Sequence, residues 1–516
     1  MRPSPRTVTA CAVAAALALV IAFLAAPRSA PVGSHTAGDP ALASRVAGLL
    51  PDGQSAGGSV GLSVALIERG RTTRAALGTT DGSTPVTLDT IFESGSVQKV
   101  LTATLLADLL DAKKVELTDT LGRLWPEVRF TDPSVARITV QQLATHTSGL
   151  PSIPTQDPRF ALAMTEHMLG GNGYAELGDP LHTLATMSGV VPGPGKKKPG
   201  FSYSNLGYAV LAETLAKVDG RDYATALRAR VLDPLGMHDT SVRTTAGTPP
   251  RAALPHRTAG VPTVPFTNPH WAAVGTGTWT TVADLTAFLT ASMSPSAPTP
   301  LTRPHTPLAE VADYAAHDGR IGLGWQLWRE KGTKVSWHNG LTNGSRTFVA
   351  RTDDGRAVVV LANSTRTPAE KIGFSLLGVN APEFDEPQSP HPALIALTLL
   401  LAVGAPVLVL VGMIRPRRSR LSRPLDRLKA ISLPVTGTAL WLLALRLGEW
   451  GHIPIAVWAI GAVPLTLAAA VALREWNQLP LARGSRTWLR VITFAIPALA
   501  FGALLCTVTV ITAQLP

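Results

Sequence analysis

The strongest constraint on this chain is where its long apolar runs lie. Four crowd into the C-terminal quarter, at 393–414, 430–445, 453–473 and 491–513, and another occupies 8–26 near the N-terminus. A helix of about 20 apolar residues crosses a bilayer, so residues 393–516 are expected to form an all-α transmembrane domain of about four helices. The run at 430–445 is the shortest of the set. At the N-terminus, Arg2 and Arg6 precede the apolar run and small residues follow it up to Ala30, the pattern of an export signal. Residues 1–30 are therefore expected to act as a signal peptide or as an uncleaved N-terminal anchor.

The formal net charge of +11 would suit a nucleic-acid partner only if it formed a face on a folded domain. Instead, Arg415, Arg417, Arg418, Arg420, Arg423, Arg427 and Lys429 sit between two apolar runs. Basic loops of this kind stay on the cytoplasmic side of a membrane. Arg474, Arg483, Arg486 and Arg490 form a second basic stretch, whereas the connection near Glu449 and His452 has only Arg446. The expected location is the bacterial cell membrane, multi-pass, with the middle of the chain extracytoplasmic and no nucleic acid bound. Both cysteines, Cys11 and Cys506, fall inside apolar runs, so no disulfide framework or thiol nucleophile is expected outside them. No histidine and carboxylate spacing suggests a metal site, no phosphate-binding glycine loop is present, and no cofactor is expected.

Residues 41–375 read as a soluble domain and 376–392, rich in Pro and acidic residues, as a linker. Strand patterns open the domain at 60–68 and 72–77 and close it at 334–337, 346–351 and 357–363. Asp354-Gly355 between the last two is a hairpin signal. Helical spacing fills the interior, at 100–110, 208–218 and 223–232. Strands at both ends with helices between predict an α+β fold: an antiparallel sheet flanked by helices and closed by both termini.

The chemistry concentrates in three segments. In Ser94-Gly95-Ser96-Val97-Gln98-Lys99, Ser96 sits at an expected helix start with Lys99 three residues on, on the same face. Lysine titrates near ~10.4 and is a base only when burial or a helix N-terminus favours its neutral form. A neutral Lys99 can take the proton of Ser96 and make it a nucleophile. In Tyr203-Ser204-Asn205, residues two apart point to one face of an extended segment, bringing a phenol for proton relay and an amide to hold a substrate carbonyl or orient Lys99. In Trp337-His338-Asn339-Gly340-Leu341, Gly340 allows close backbone approach of a substrate and His338 offers a partly charged donor.

In this order and spacing the three segments resemble the serine β-lactamase and penicillin-binding protein superfamily, most closely its class C β-lactamase and D-alanyl-D-alanine carboxypeptidase branch. Residues 138–151 (ITVQQLATHTSGLP), 231–240 (VLDPLGMHDT) and 322–325 (GLGW) match as well. The resemblance covers nearly all of the soluble domain and none of the membrane part. It implies acyl-enzyme catalysis with Ser96 as nucleophile, Lys99 and Tyr203 as acid/base pair, and Asn205, His338, Gly340 and Leu341 at the substrate. The oxyanion hole would come from the Ser96 and Leu341 amides. The expected partner is a small-molecule or peptide substrate, such as a cell-wall-derived peptide, an ester or an amide. Where relatives carry Lys-Thr-Gly this chain has His338-Asn339-Gly340, so weak or absent β-lactam hydrolysis is expected. The alternative reading is a sensor that is acylated by β-lactams or wall fragments without turnover and signals through its helices.

Other signals read as structural. Gly57-Gly58-Ser59-Val60-Gly61 has nucleophile-elbow spacing, but the strand follows the serine when it should precede it. His146 and Ser148 read as support, and Lys196-Lys197-Lys198 as a solvated charge run.

Overall fold

The computed structural model describes residues 5–26, 35–50, 60–188, 200–257, 261–380, 392–414, 425–450 and 452–481, with scattered positions beyond. Gly57 to Ser59, the Lys196–Lys198 run, most of the linker, Arg415 to Arg423 and nearly all of the run at 491–513 lie outside these residues. The rest falls into two compact units, one from the two apolar ends of the chain and one from its middle.

The middle unit is organised by a nine-stranded antiparallel sheet. Its spatial order is Thr36–Gly38, Arg71–Gly78, Gly61–Glu68, Ala357–Ala362, Arg346–Thr352, Thr333–Leu341, Gln326–Glu330, Arg320–Ile321 and Ala309–Glu310. An early and a late strand of this unit meet at its centre, where Val64 of Gly61–Glu68 pairs with Val360 of Ala357–Ala362. The Asp354-Gly355 turn closes a hairpin, with Gly355 at φ +88° and Arg351 paired to Ala357.

Helices cover both faces of the sheet, which is why its central strands read as unbroken apolar runs. On one face Ala65, Ile67, Val349, Val359 and Leu361 join a core shared with helices Gln98–Asp111, Asn205–Asp219 and Val282–Met293. On the other, Leu62, Val64, Trp337, Phe348 and Val360 pack with helices Pro40–Leu49 and Ala369–Leu377. The alternation follows from the two-residue repeat of a strand. Helix Gln98–Asp111 is buried on nearly every side, so its first turn, which carries Lys99, lies inside the protein.

Among the described residues of the other unit, four helices are long and apolar enough to cross a membrane: Val8–Ala25, Pro392–Ile414, Arg427–Leu447 and Ala456–Gln478. The shortest apolar run thus becomes a 21-residue helix, because helical structure continues past the apolar stretch to Arg427 and Arg446. Ala22 and Ala26 of the N-terminal segment are buried in one cluster with Ala402, Trp450 and Ala459. Trp441 and Trp458 stack at 4.1 Å, and each indole donates to the other's backbone carbonyl at 2.8 Å.

Candidate active site

Ser96 stands on a single tight turn, Gly95–Val97, that runs straight into helix Gln98–Asp111. The turn lies flat against the end of strand Thr333–Leu341. A Cβ on Gly340 would sit 2.6 Å from Ser94 O and 2.9 Å from Ser96 N, and one on Gly95 would sit 3.1 Å from Leu341 N. Gly95 also has φ +52°, a conformation that side chains disfavour. Bare backbone on both sides of the junction brings the Ser96 and Leu341 amides to the same place. The sequence suggested a substrate against Gly340; the backbone that presses on it is that of the Ser96 turn.

Lys99 is wholly buried. Its Nζ lies 2.9 Å from Ser96 Oγ and 2.8 Å from Asn205 Oδ1. It also stands over the Tyr203 ring, 4.9 Å from the centroid. Among the described residues no carboxylate pairs with it, and burial pushes its pKa well below the usual 10.5. Tyr203 Oη lies 2.8 Å from the same Ser96 Oγ. Burial raises the phenol above its ordinary 10, so it keeps its proton at neutral pH. Lys99 Nζ donates to Ser96 Oγ and to Asn205 Oδ1, the Tyr203 phenol donates to the same Ser96 Oγ, and the serine hydroxyl faces Val274 O at 3.5 Å. Asn205 thus orients Lys99 through its carbonyl, while its Nδ2 donates to Tyr174 Oη at 3.3 Å.

Tyr203 precedes helix Asn205–Asp219 and Asn205 is its first residue; the 146–151 segment grips this junction. The His146 carbonyl accepts the Ser202 N–H at 2.8 Å, and His146 Nδ1 accepts the Ser204 N–H at 3.1 Å. Ser204 Oγ donates to Pro151 O at 2.8 Å and caps helix Asn205–Asp219 by accepting from Gly207 N. The helix therefore begins at Asn205, three residues before the apolar spacing suggests. The His146 ring lies 4.5 Å from that of Tyr203 and 4.8 Å from that of Tyr208. Burial holds His146 well below its usual 6.5. Ser148 is buried within the same segment.

The strand repeat sorts His338, Asn339 and Gly340 onto alternate faces. His338 faces the site, its ring 6.3 Å from that of Tyr203. Asn339 points away and donates to Glu370 at 2.8 Å, a carboxylate that also pairs with Arg346 at 2.7 Å. His338 Nδ1 lies 2.6 Å from Asn339 O, so Nδ1 carries the proton. Burial lowers His338 from 6.5 to about 3. It is a neutral imidazole at physiological pH, where the sequence suggested partial charge. Leu341 presents its backbone to the junction and leaves its side chain 60% exposed.

Two contributors escaped the sequence reading. Glu93, buried next to the nucleophile turn, accepts from Thr342 Oγ1 (2.7 Å), Ser345 Oγ (3.0 Å) and Phe266 N (3.2 Å). It ties the turn to the loop after Leu341, and burial raises its carboxyl from 4.5 to about 7. Its place inside Phe92-Glu93-Ser94 was the only hint. Tyr174, which meets Asn205, stood in no recognisable pattern. The described residues contain no cluster of His, Cys, Asp or Glu able to hold a metal ion.

A sheet that joins the first and last strands of the unit, with a serine, a lysine one helical turn on and a tyrosine from a distant segment, is the arrangement of a family of serine hydrolases. The family described as Beta-lactamase matches residues 46–377, and the chain belongs to it. Over 159 residues the chain is 31% identical to penicillin-binding protein 4 of Amycolatopsis lactamdurans, covering 30% of this chain and 37% of that one. Over 168 residues it is 28% identical to the D-alanyl-D-alanine-carboxypeptidase/endopeptidase AmpH of Escherichia coli K12, with the same coverage. The match therefore spans well under half the length of either relative. Among solved structures, a class C β-lactamase superposes with TM-score 0.51 at 21% identity, covering 63% of this chain and 92% of that one, which speaks for the fold.

Proposed function

We propose that this protein is a membrane-anchored serine hydrolase that works through an acyl-enzyme on a peptide, amide or ester, with its catalytic unit outside the cytoplasm. The observation that carries this reading is the position of Ser96 Oγ, 2.9 Å from a buried, uncompensated amine and 2.8 Å from a protonated phenol. Lys99 takes the Ser96 proton as Oγ bonds to the substrate carbonyl carbon. Tyr203 protonates the departing group as the scissile bond breaks. The resulting phenolate takes a proton from water, whose oxygen attacks the acyl group. Lys99 returns its proton to Ser96 as the acyl–oxygen bond opens. The Ser96 and Leu341 amides receive the oxyanion; one such donor is worth about 3 kcal/mol.

The placement of the membrane helices follows the basic residues: those between the second and third candidate spans stay inside, leaving the catalytic unit outside. Burial of Ala22 and Ala26 against the C-terminal helices supports an N-terminal helix retained as an anchor. Native substrates without β-lactam character are favoured, because a neutral His338 stands where relatives place a charged lysine. The test is the full chain in detergent, wild type and Ser96→Ala, against nitrocefin, aryl esters and D-Ala-D-Ala peptides. Turnover lost in the variant is the expected result; equal turnover in both would remove Ser96 from the chemistry.

A further inference from the structure

A cavity of about 200 Å³ is lined by Ile153, Phe160, Met164, Tyr174, Phe266 and Leu341 among others. It shares two residues with the site just described: Leu341 lends that site its amide, and Tyr174 receives the Asn205 hydrogen bond. Its walls are apolar and aromatic. The other titratable side chain in them, His167, is held neutral by burial, at about 4. Arg257 donates to Met168 O, and its guanidinium lies 3.3 Å from His167 Nε2. Of the apolar residues in the cavity walls, Leu341 and Met164 are 60% and 37% exposed. Single exposed apolar residues are ordinary, but two that rim one apolar cavity mark a place for an apolar ligand.

We infer that this cavity is the acyl subsite and that it takes an uncharged apolar acyl group, excluding acyl groups that end in a carboxylate. The inference rests on the hydrolase reading and names its substrate class. Tyr203 serves the departing group, so that group lies on the Tyr203 and His338 side. The acyl group then lies on the side of Asn205, Tyr174 and Leu341, where the cavity opens. At about 30 Å³ for each water-sized group, the cavity holds roughly six or seven heavy atoms. A carboxylate there would lose its hydration and meet no free cation among the described lining residues.

The test uses the full chain in detergent with p-nitrophenyl acetate, butyrate and hexanoate, and with the p-nitrophenyl monoester of adipic acid, which matches hexanoate in length but ends in a carboxylate. Each methylene buried should raise kcat/KM about fourfold, so butyrate should exceed acetate by roughly 15-fold. The adipate monoester should fall at least about tenfold below hexanoate. Met164→Lys, at a partly exposed helical position, should reverse the order of hexanoate and adipate monoester. The wild-type series decides the matter even if that variant does not fold. Ser96-dependent turnover that ignores acyl length, or that favours the adipate monoester, overturns the inference and leaves the hydrolase standing. Absence of Ser96-dependent turnover on any ester, peptide or β-lactam removes both.

Discussion

Gly340→Ala tests whether the junction between the nucleophile turn and the sheet sets catalysis. The added Cβ would lie 2.3 Å from Thr347 Oγ1, 2.6 Å from Ser94 O and 2.9 Å from Ser96 N. The threonine can rotate, at the loss of the hydrogen bond it donates to Ser94 O at 2.8 Å. The two backbone atoms cannot. To restore an ordinary contact of 3.4 Å, the Ser94 carbonyl must retreat by about 0.8 Å, and the turn moves with it. Ser96 Oγ now sits 2.8 and 2.9 Å from its partners, so a shift of that size takes both contacts beyond good proton-transfer distance, about 3.2 Å.

A misplacement of about 1 Å at the reacting atoms costs on the order of 100-fold. We therefore expect kcat to fall about 100-fold with KM changed less than about threefold, measured on whichever aryl ester the wild type turns over fastest. Overpacking should cost about 1–3 kcal/mol of stability, which a thermal melt would show as a lowered but still cooperative transition. If Gly340 served instead to admit the substrate, KM would rise while kcat held. A variant with kcat within a few fold of wild type would refute the claim that this backbone contact places the nucleophile.

Three further perturbations probe the supporting groups. Lys99→Met should cut kcat by about 10³-fold or more, yet raise the melting temperature near neutral pH, since the thioether fills the same space with no amine to desolvate; a destabilised variant would argue that the amine is held by its hydrogen bonds. The lysine pKa is depressed on folding, so its contribution is present at high pH and lost as pH falls through the folded value. Melts from pH 5 to 9 should show that loss in wild type and not in the variant. His146→Ala leaves the Ser204 N–H without its acceptor and should lower kcat about 100-fold with KM nearly unchanged; His146→Asn, which tolerates the φ of +55° and offers an acceptor, should recover much of the rate. Glu93 has its pKa raised on folding from 4.5 to about 7, so its share of stability is complete below 4.5 and is lost as pH rises to about 7. That loss is on the order of 3 kcal/mol. Glu93→Gln should flatten this slope in denaturant titrations across pH 4 to 8, and an unchanged slope would assign it to other groups.

What the sequence revealed of this site was set by the range of each interaction. Ser96 and Lys99 were legible because helical spacing alone puts them on one face. Tyr203 and Asn205 were legible as residue types two apart, but what aims them is the 146–151 clasp, more than fifty residues away, and only the fold makes that contact. Glu93 and Tyr174 act wholly through such distant partners, Thr342, Ser345 and Asn205, so no local pattern announced them. The charge of His338 went astray for a related reason. Its neighbours in the chain say nothing of its burial, and burial, more than the chemistry of imidazole, decides whether it carries a proton. The same cause acts in opposite directions at one centre: exclusion of water frees the amine of Lys99, retains the proton of Tyr203 and strips the charge from His338. The reactive state of Ser96 is thus a property of the enclosed cleft more than of any residue in the motif, and substitutions that admit water should weaken it even where every motif side chain is kept.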